Sequence, residues 1–185
     1  MPHRTALERL GLDELAVQRL TAYLDTLALW SERVNLTGLK TAEDRVRVLV
    51  ASVLPALSLA RPGHLIDVGS GNGTPGLVFA ATRDEIDVTL LEPRLKRWTF
   101  LREAARAMRR PGISVLRERH DSYAGPRGST VTLRALHLPL KELAPLVDPG
   151  GRLLVFGSRP EAGDGFVEQP GVGGPTCHVF RRCST

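Results

Sequence analysis

The stretch H-L-I-D-V-G-S-G-N-G-T-P-G at residues 64–76 decides the fold. A short apolar run, Leu65, Ile66 and Val68, stops at four glycines, Gly69, Gly71, Gly73 and Gly76. Hydrophobic residues resume at once in Leu77, Val78, Phe79, Ala80 and Ala81. This pattern predicts a buried strand, a glycine turn and the first turns of a helix. In that arrangement a nucleotide-like ligand lies against bare backbone.

Outward from this turn the periodicity stays short. Strands are predicted at 64–68, 87–91, 113–117, 130–133 and 152–157, with helices at 75–83, 94–110 and 139–147. A last pair of strands, 165–169 and 176–181, flanks the turn-rich P-G-V-G-G-P at 170–175. Strands alternating with helices imply a doubly wound, Rossmann-like α/β sheet, and the final pair implies an antiparallel β-hairpin at its edge. The first 62 residues read differently. Leu20, Tyr23, Leu24, Leu27 and Trp30 form one helical stripe. Thr41 is placed as an N-cap three residues before Asp44, and Val46, Val50, Val53 and Leu57 carry a second stripe. Residues 1–62 are therefore expected as an N-terminal helical cap on a ligand-binding core at 63–185, all within one domain.

No apolar run approaches the ~20 residues of a membrane span, and the N-terminus shows no signal-peptide core; a cytoplasmic protein without a membrane partner is expected. Cys177 and Cys183 are the two cysteines, a spacing that suits neither a disulfide framework nor a metal site. The net charge of +5 is uneven: Arg94, Lys96, Arg97, Arg102, Arg106, Arg109, Arg110, Arg117 and Arg119 face only Glu103 and Glu118. Nine cations less two anions make residues 94–119 +7, so the rest of the chain is slightly acidic. Arg102, Arg106 and Arg110 recur every four residues beside an apolar stripe of Trp98, Leu101, Ala105 and Met108. Such a face either follows a nucleic-acid backbone or is an ordinary solvated helix surface.

Two ligand classes use the glycine turn. Gly71-x-Gly73-x-x-Gly76 fits the dinucleotide fingerprint, and Glu92 ends the next strand where a ribose-binding acid belongs. S-adenosylmethionine is the alternative, and two details, at Asp67 and Pro75, favour it; Arg134 is a candidate functional residue on separate grounds. Asp67, two residues before the first glycine, would attract a cation and repel a pyrophosphate. Pro75 removes a backbone N–H that a phosphate would use. Arg134 sits between Leu133 and Ala135 after an apolar strand, where a guanidinium needs an anion or carboxylate to meet it.

Several segments together resemble the bacterial 16S rRNA (guanine-7-)-methyltransferases, the glucose-inhibited division protein B family. They are L-A-L-W-S-E-R-V-N-L-T-G at 27–38, L-I-D-V-G-S-G-N-G-T-P-G-L at 65–77 and V-T-L-L-E-P-R-L-K-R-W-T-F-L-R-E at 88–103. R-H-D at 119–121, T-L-R-A-L at 132–136 and P-G-G-R-L at 149–153 extend the match. The resemblance implies a class I methyltransferase sheet with S-adenosylmethionine on Asp67, Gly69, Ser70, Gly71, Gly73, Thr74, Gly76, Glu92 and Pro93. It also implies Gly69 and Thr74 at the methionine end, Glu92 on the ribose, His120 and Asp121 near the adenine, and Arg134 facing methyl transfer. The implied partner is small-subunit rRNA or the assembling small subunit. The Arg102, Arg106 and Arg110 stripe offers it a phosphate-following face. The two cysteines support no metal, and no long apolar stripe is left over, so a monomer is expected. Some positions differ from the family pattern. A histidine and an aspartate-serine pair in the second cap helix are replaced by Val48 and Ala51-Ser52. Thr74 stands where an aromatic residue or leucine follows the glycine turn, and V-F-G-S-R-P at 155–160 offers only Arg159 for a lysine-glycine. Those departures keep two further readings open: a methyltransferase of the same fold with another RNA or small-molecule acceptor, and a non-catalytic cofactor- or RNA-binding protein.

Overall fold

In a computed structural model of the protein, which describes residues 2–161, 163–173 and 176–184, the opening stretch forms strand β1 (Gly63–Val68) in a seven-stranded sheet. Strands β2 (Ile86–Leu91) and β4 (Gly128–Arg134) flank it in parallel. Beyond β2 lies β3 (Ile113–Leu116). Beyond β4 come β5 (Val147–Phe156), β7 (Cys177–Arg182) and β6 (Phe166–Glu168), with β7 antiparallel to both its neighbours. The order β3-β2-β1-β4-β5-β7-β6 reverses between β1 and β4. At such a reversal the connections leave in opposite directions and open a crevice beyond the carboxyl ends of the strands. The glycine turn stands at that crevice.

One face of the sheet carries most of the helices. They are α1 (Pro2–Glu8), α2 (Glu14–Ser31), α4 (Gly76–Thr82) and α5 (Leu95–Met108). Asp13 caps α2 by accepting from the Ala16 N–H at 2.8 Å. The expected stripe Leu20, Tyr23, Leu24 and Leu27 is fully buried, while Trp30 sits at its edge in an edge-to-face contact with Phe100. The expected stripe on α5 is corrected. Phe100, Leu101, Ala104 and Met108 are buried, and Trp98 and Ala105 are only half-buried, so the apolar face is rotated toward the neighbouring α2.

The second cap helix is not one helix. Thr41 does cap it, its Oγ1 accepting from the Asp44 N–H at 3.0 Å. A single α-turn, α3 (Ala42–Arg45), then gives way to a π-turn (Val46–Ala51) and a 3-10 segment (Leu54–Leu59). Three closely spaced valines disfavour regular α geometry, and Pro55 offers no N–H to continue it. Val46, Val50 and Val53 are buried as expected, and Leu57 is half-buried. The helix expected at 139–147 is likewise shorter. It is one turn, α6 (Leu140–Leu143), followed by a 3-10 turn (Ala144–Leu146) at Pro145, and Val147 already pairs with Gly128 as the start of β5.

This second face is thinly covered. Among the described residues no helix connects β3 to β4 or β5 to β6. Leu140, Leu143 and Leu146 close instead on Ile66, Val131, Leu133 and Leu153. Residues 174 and 175 of the hairpin turn lie outside the described residues. Cys177 is buried against the helical face, and burial pushes its thiol up to about 12, so it packs as an inert apolar group. Among the described residues no helix is long and apolar enough to cross a membrane.

Candidate functional site

The glycine turn is held from four sides. Ser70 donates its N–H to Leu91 O at 3.0 Å, which ties the turn to the end of β2. The Tyr23 hydroxyl, from α2, donates to Asn72 O at 2.8 Å. Thr74 Oγ1 donates to Leu49 O in the π-turn at 2.6 Å. Beneath, Gly73 and Gly76 leave no space for a side chain. A Cβ on Gly73, at φ +96°, would lie 2.6 Å from Leu77 Cδ1, and one on Gly76 would lie 2.7 Å from Asp67 Oδ2. The turn is therefore packed against the sheet and α4 with no room for side chains at Gly73 and Gly76.

Glu92 braces the turn from behind. It is buried at 3% exposure, its Oε2 accepting from the Gly71 N–H at 3.0 Å and its Oε1 from the Arg94 N–H at 2.8 Å. A carboxylate offers about four acceptor positions, so two remain for a vicinal pair of hydroxyls. This is where the chemistry of a ribose fits the residues present.

Above the turn opens a cleft of about 290 Å³. Residues 69–72 and Thr74 form one side, Arg134, Ala135 and Leu136 the other, and Leu36 and Arg97 close it. Of the sequence-predicted residues, Gly69, Ser70, Gly71, Thr74 and Arg134 reach this cleft. Gly73 and Gly76 lie under it, and Pro93 is exposed at the strand end. His120 and Asp121 stand apart on the β3–β4 connection. His120 is buried, with Nε2 3.0 Å from Glu142 Oε2. Asp121 is exposed and pairs with Arg119, which holds its carboxyl below the usual range. Asn72 and Leu136 line the cleft though the sequence assigns them no role, and Arg97, one of the cations of residues 94–119, lines it as well. Leu136 stands two residues after the strand-end Arg134, among other leucines, so nothing local in the sequence sets it apart.

Two expectations about charge are corrected. Asp67 does not face the cleft. It is fully buried below the turn, its Oδ1 accepting from Thr132 Oγ1 at 2.6 Å and its Oδ2 without a hydrogen-bond partner. Burial raises its pKa from 3.8 to about 6. A carboxyl that holds its proton more tightly in the folded than in the unfolded chain stabilises fully below pH ~4, and that contribution is lost as pH rises through ~6. The urea midpoint is therefore expected to fall between pH ~4 and ~6 in the parent, and to fall less in Asp67→Asn. Parallel pH profiles for the two proteins would remove Asp67 as the source.

Arg134 meets no carboxylate. Its Nη2 donates to Val48 O at 2.9 Å and its Nη1 to Ser52 Oγ at 3.2 Å, and Ser52 Oγ itself donates to Val48 O at 2.7 Å. Burial lowers its pKa, while the neighbouring Tyr23 and Asp67 act the other way. A carbonyl and a hydroxyl of the cap thus take the place of the expected anion. The next residue, Ala135, sits at φ +53°, a left-handed conformation that a non-glycine residue adopts at a cost of about 1 kcal/mol or more.

The basic face on α5 is also revised. Arg102 is exposed, with Cζ 4.8 Å from the centroid of the Trp98 ring, and Arg106 is exposed and paired with Glu103 at 3.0 Å. Arg110 does not join them. Its side chain is 2% exposed and donates to the carbonyls of Pro111, Arg83, Asp84 and Ile86. The left-handed Arg109 ends α5 and turns Arg110 inward, which the interval of four does not reveal. Arg109 is exposed, and with Arg102 and Arg106 it lines an open groove of about 530 Å³ that the buried Arg110 also borders.

A family model described as rRNA small subunit methyltransferase G matches residues 16–161. The ribosomal RNA small subunit methyltransferase G of Neisseria meningitidis serogroup C / serotype 2a is 33% identical over 176 residues, covering 92% of this chain and 82% of that protein. The protein of the same name from Methylobacillus flagellatus is 35% identical over 121 residues, 64% of this chain and 59% of its own. Among solved structures, a mutant of MtNAS in complex with S-adenosylmethionine superposes with a TM-score of 0.62 at 15% identity, covering 91% of this chain and 77% of that one. A SAM dependent methyltransferase from Aquifex aeolicus gives 0.56 at 15% identity, covering 77% and 93%. These likenesses to solved structures establish the Rossmann-like methyltransferase fold, and the sequence matches establish the lineage: the chain belongs to the GidB family of small-subunit rRNA methyltransferases.

Proposed function

We propose that the protein is an S-adenosylmethionine-dependent methyltransferase that modifies the 7-position of a guanine in small-subunit rRNA. The observation that carries this reading is Glu92, bracing the glycine turn at the point where the strand order reverses, in a chain of this family. When bound, S-adenosylmethionine supplies an electrophilic methyl group on a sulfonium. Glu92 holds the ribose hydroxyls, and Gly69, Ser70, Gly71 and Thr74 support the amino-acid end. The guanine 7-nitrogen has a free lone pair and no proton to lose, so no side chain need act as a general base. The protein's part is alignment, and in favourable cases alignment is worth about 7–11 kcal/mol. Arg134, fixed to the cap by Val48 and Ser52, lines the cofactor cleft and aligns the methyl donor for transfer. Arg102 and Arg106 give the RNA backbone exposed cations along α5.

The direct test uses purified protein, labelled S-adenosylmethionine, and two acceptors lacking the mark, free 16S rRNA and small subunits. Methyl incorporation at one guanine, at its 7-position, is expected; no transfer to either acceptor would remove the reading. Titration with S-adenosylmethionine against NAD should show binding of the first alone. Arg134→Lys keeps the charge but loses the paired donors to the cap. Turnover should fall about tenfold while cofactor affinity stays within about threefold, a loss of roughly 1.4 kcal/mol confined to the transition state. A pure binding loss would make Arg134 a cofactor ligand. The altered cap, with Ala51 leaving Arg134 no carboxylate, favours as a second reading the same chemistry on a non-ribosomal RNA. Stronger transfer to bulk transfer RNA than to either ribosomal acceptor would select it.

A further inference from the structure

Beside the cofactor cleft lies a second one, of about 420 Å³, between the β4–α6 connection and the β5–β6 connection. Leu136 belongs to both. The left-handed Ala135 turns the chain so that this leucine, 39% exposed, stands over Gly69, where its Cδ1 would lie 3.0 Å from a glycine Cβ. An exposed leucine held by a strained residue forms a partition between two cavities. On the far side of it, Leu133, Pro139 and Val155 make apolar walls, and Glu161 and Asp164 bring two carboxylates from the other connection. Neither carboxylate has an ion-pair partner among the described residues. Gly163, Asp164 and Gly165 all have positive φ, and the connection brings Asp164 into the cleft lining. Arg159 also lines the cleft and is paired with Glu168.

Carboxylates are out of place where a polyanion must dock, unless they accept hydrogen bonds from it. We propose that this second cleft receives the acceptor base, and that Glu161 and Asp164 determine its identity as guanine; the inference rests on the reading above. Every purine has a 7-nitrogen acceptor, so the reacting atom itself does not distinguish guanine from adenine. The other end of guanine carries N1–H and an exocyclic amino group, both donors, whereas adenine presents an unprotonated N1 there. With the 7-nitrogen directed past Leu136 toward the methyl group, that donor edge points away from the cofactor, toward the carboxylates. Leu136 and Pro139 supply the apolar surface for the faces of an extruded base, and Arg159 supplies N–H groups for its phosphate.

The test titrates isotope-labelled protein, saturated with S-adenosylhomocysteine, with guanosine, inosine and adenosine 5′-monophosphates, and follows backbone amide shifts. Guanosine monophosphate should shift the amides around Leu136 and Asp164. Inosine monophosphate, which lacks the amino group, should bind more weakly, and the adenosine nucleotide more weakly still. In the double variant Glu161→Ala, Asp164→Asn, guanosine binding should fall roughly tenfold, to the level of inosine, as for loss of a base-reading contact. Asparagine tolerates the positive φ at 164, and S-adenosylmethionine affinity should not change. Equal response to the guanosine and adenosine nucleotides, shifts confined to other surfaces, or undiminished guanosine preference in the double variant would each overturn the assignment. Because this readout needs no methyl transfer, guanosine selectivity in a protein inert toward rRNA would defeat the functional reading alone.

Discussion

Replacing Glu92 with alanine is expected to weaken S-adenosylmethionine binding by about 2–4 kcal/mol, roughly thirtyfold to a thousandfold. Hydrogen bonds to a charged partner contribute about 1.5–3 kcal/mol each, and the two ribose hydroxyls lose theirs together, with less than additive effect. The loss is compounded on the protein side. The carboxylate also fixes the Gly71 and Arg94 amides, so its removal frees the turn that the ligand needs preformed. Glu92→Gln preserves shape but turns one acceptor into a donor aimed at an amide, and should be nearly as damaging. Isothermal titration measures both. Affinity within a factor of two of the parent would place the ribose elsewhere and undo the geometry proposed for the cleft.

The second large effect is on stability and concerns a residue whose guanidinium is buried among backbone carbonyls. Arg110→Met is expected to lower the free energy of unfolding by about 2–4 kcal/mol. The guanidinium gathers the carbonyls of Pro111, Arg83, Asp84 and Ile86, where the end of α5 meets the end of α4 and the start of β2. Methionine fills the stem's volume but leaves those acceptors without a donor. RNA affinity should be unchanged. Arg102→Ala combined with Arg106→Ala should behave oppositely, with stability nearly that of the parent, weaker RNA binding and a shallower dependence of affinity on salt. Urea unfolding and filter binding across a salt series separate the two. A normal unfolding midpoint for Arg110→Met together with weakened RNA binding would return Arg110 to the exposed face.

The contrast between Arg106 and Arg110 shows where reading from sequence succeeds and where it stops. Helical spacing places both on one stripe, and within a regular helix that holds. The left-handed Arg109 ends the helix between them, a tertiary event that local periodicity does not encode. The central strands were legible because a buried parallel strand is rich in apolar and β-branched residues, each of these runs carrying a single polar interruption, as in Leu65–Val68 with Asp67, Val88–Leu91 with Thr89 and Val131–Leu133 with Thr132. The π-turn was not, because its carbonyls answer to Thr74 and Arg134, far away in sequence. At the site, the glycine turn and Glu92 follow from local chemistry. The partner of Arg134 was misjudged because a backbone carbonyl has no signature in composition, and Asp67 because a strand residue's exposure depends on what packs over it.

The π-turn has a consequence for how separable the parts of this chain are. Its Leu49 carbonyl takes the Thr74 hydroxyl and its Val48 carbonyl takes Arg134, so one short loop of the N-terminal segment stitches together both lips of the cleft. Tyr23 adds a third stitch at Asn72. The N-terminal segment is thus less an attachment than a piece of the cleft's wall, supplied from outside the sheet. A chain begun at Gly63 would keep every residue of the glycine motif and lose the partners that shape it. In engineering or in evolution, the portable unit is the whole of both parts: a recombinant that grafts this sheet onto a foreign N-terminus must bring residues 23 and 48–52 with it, or inherit a motif without a binding site.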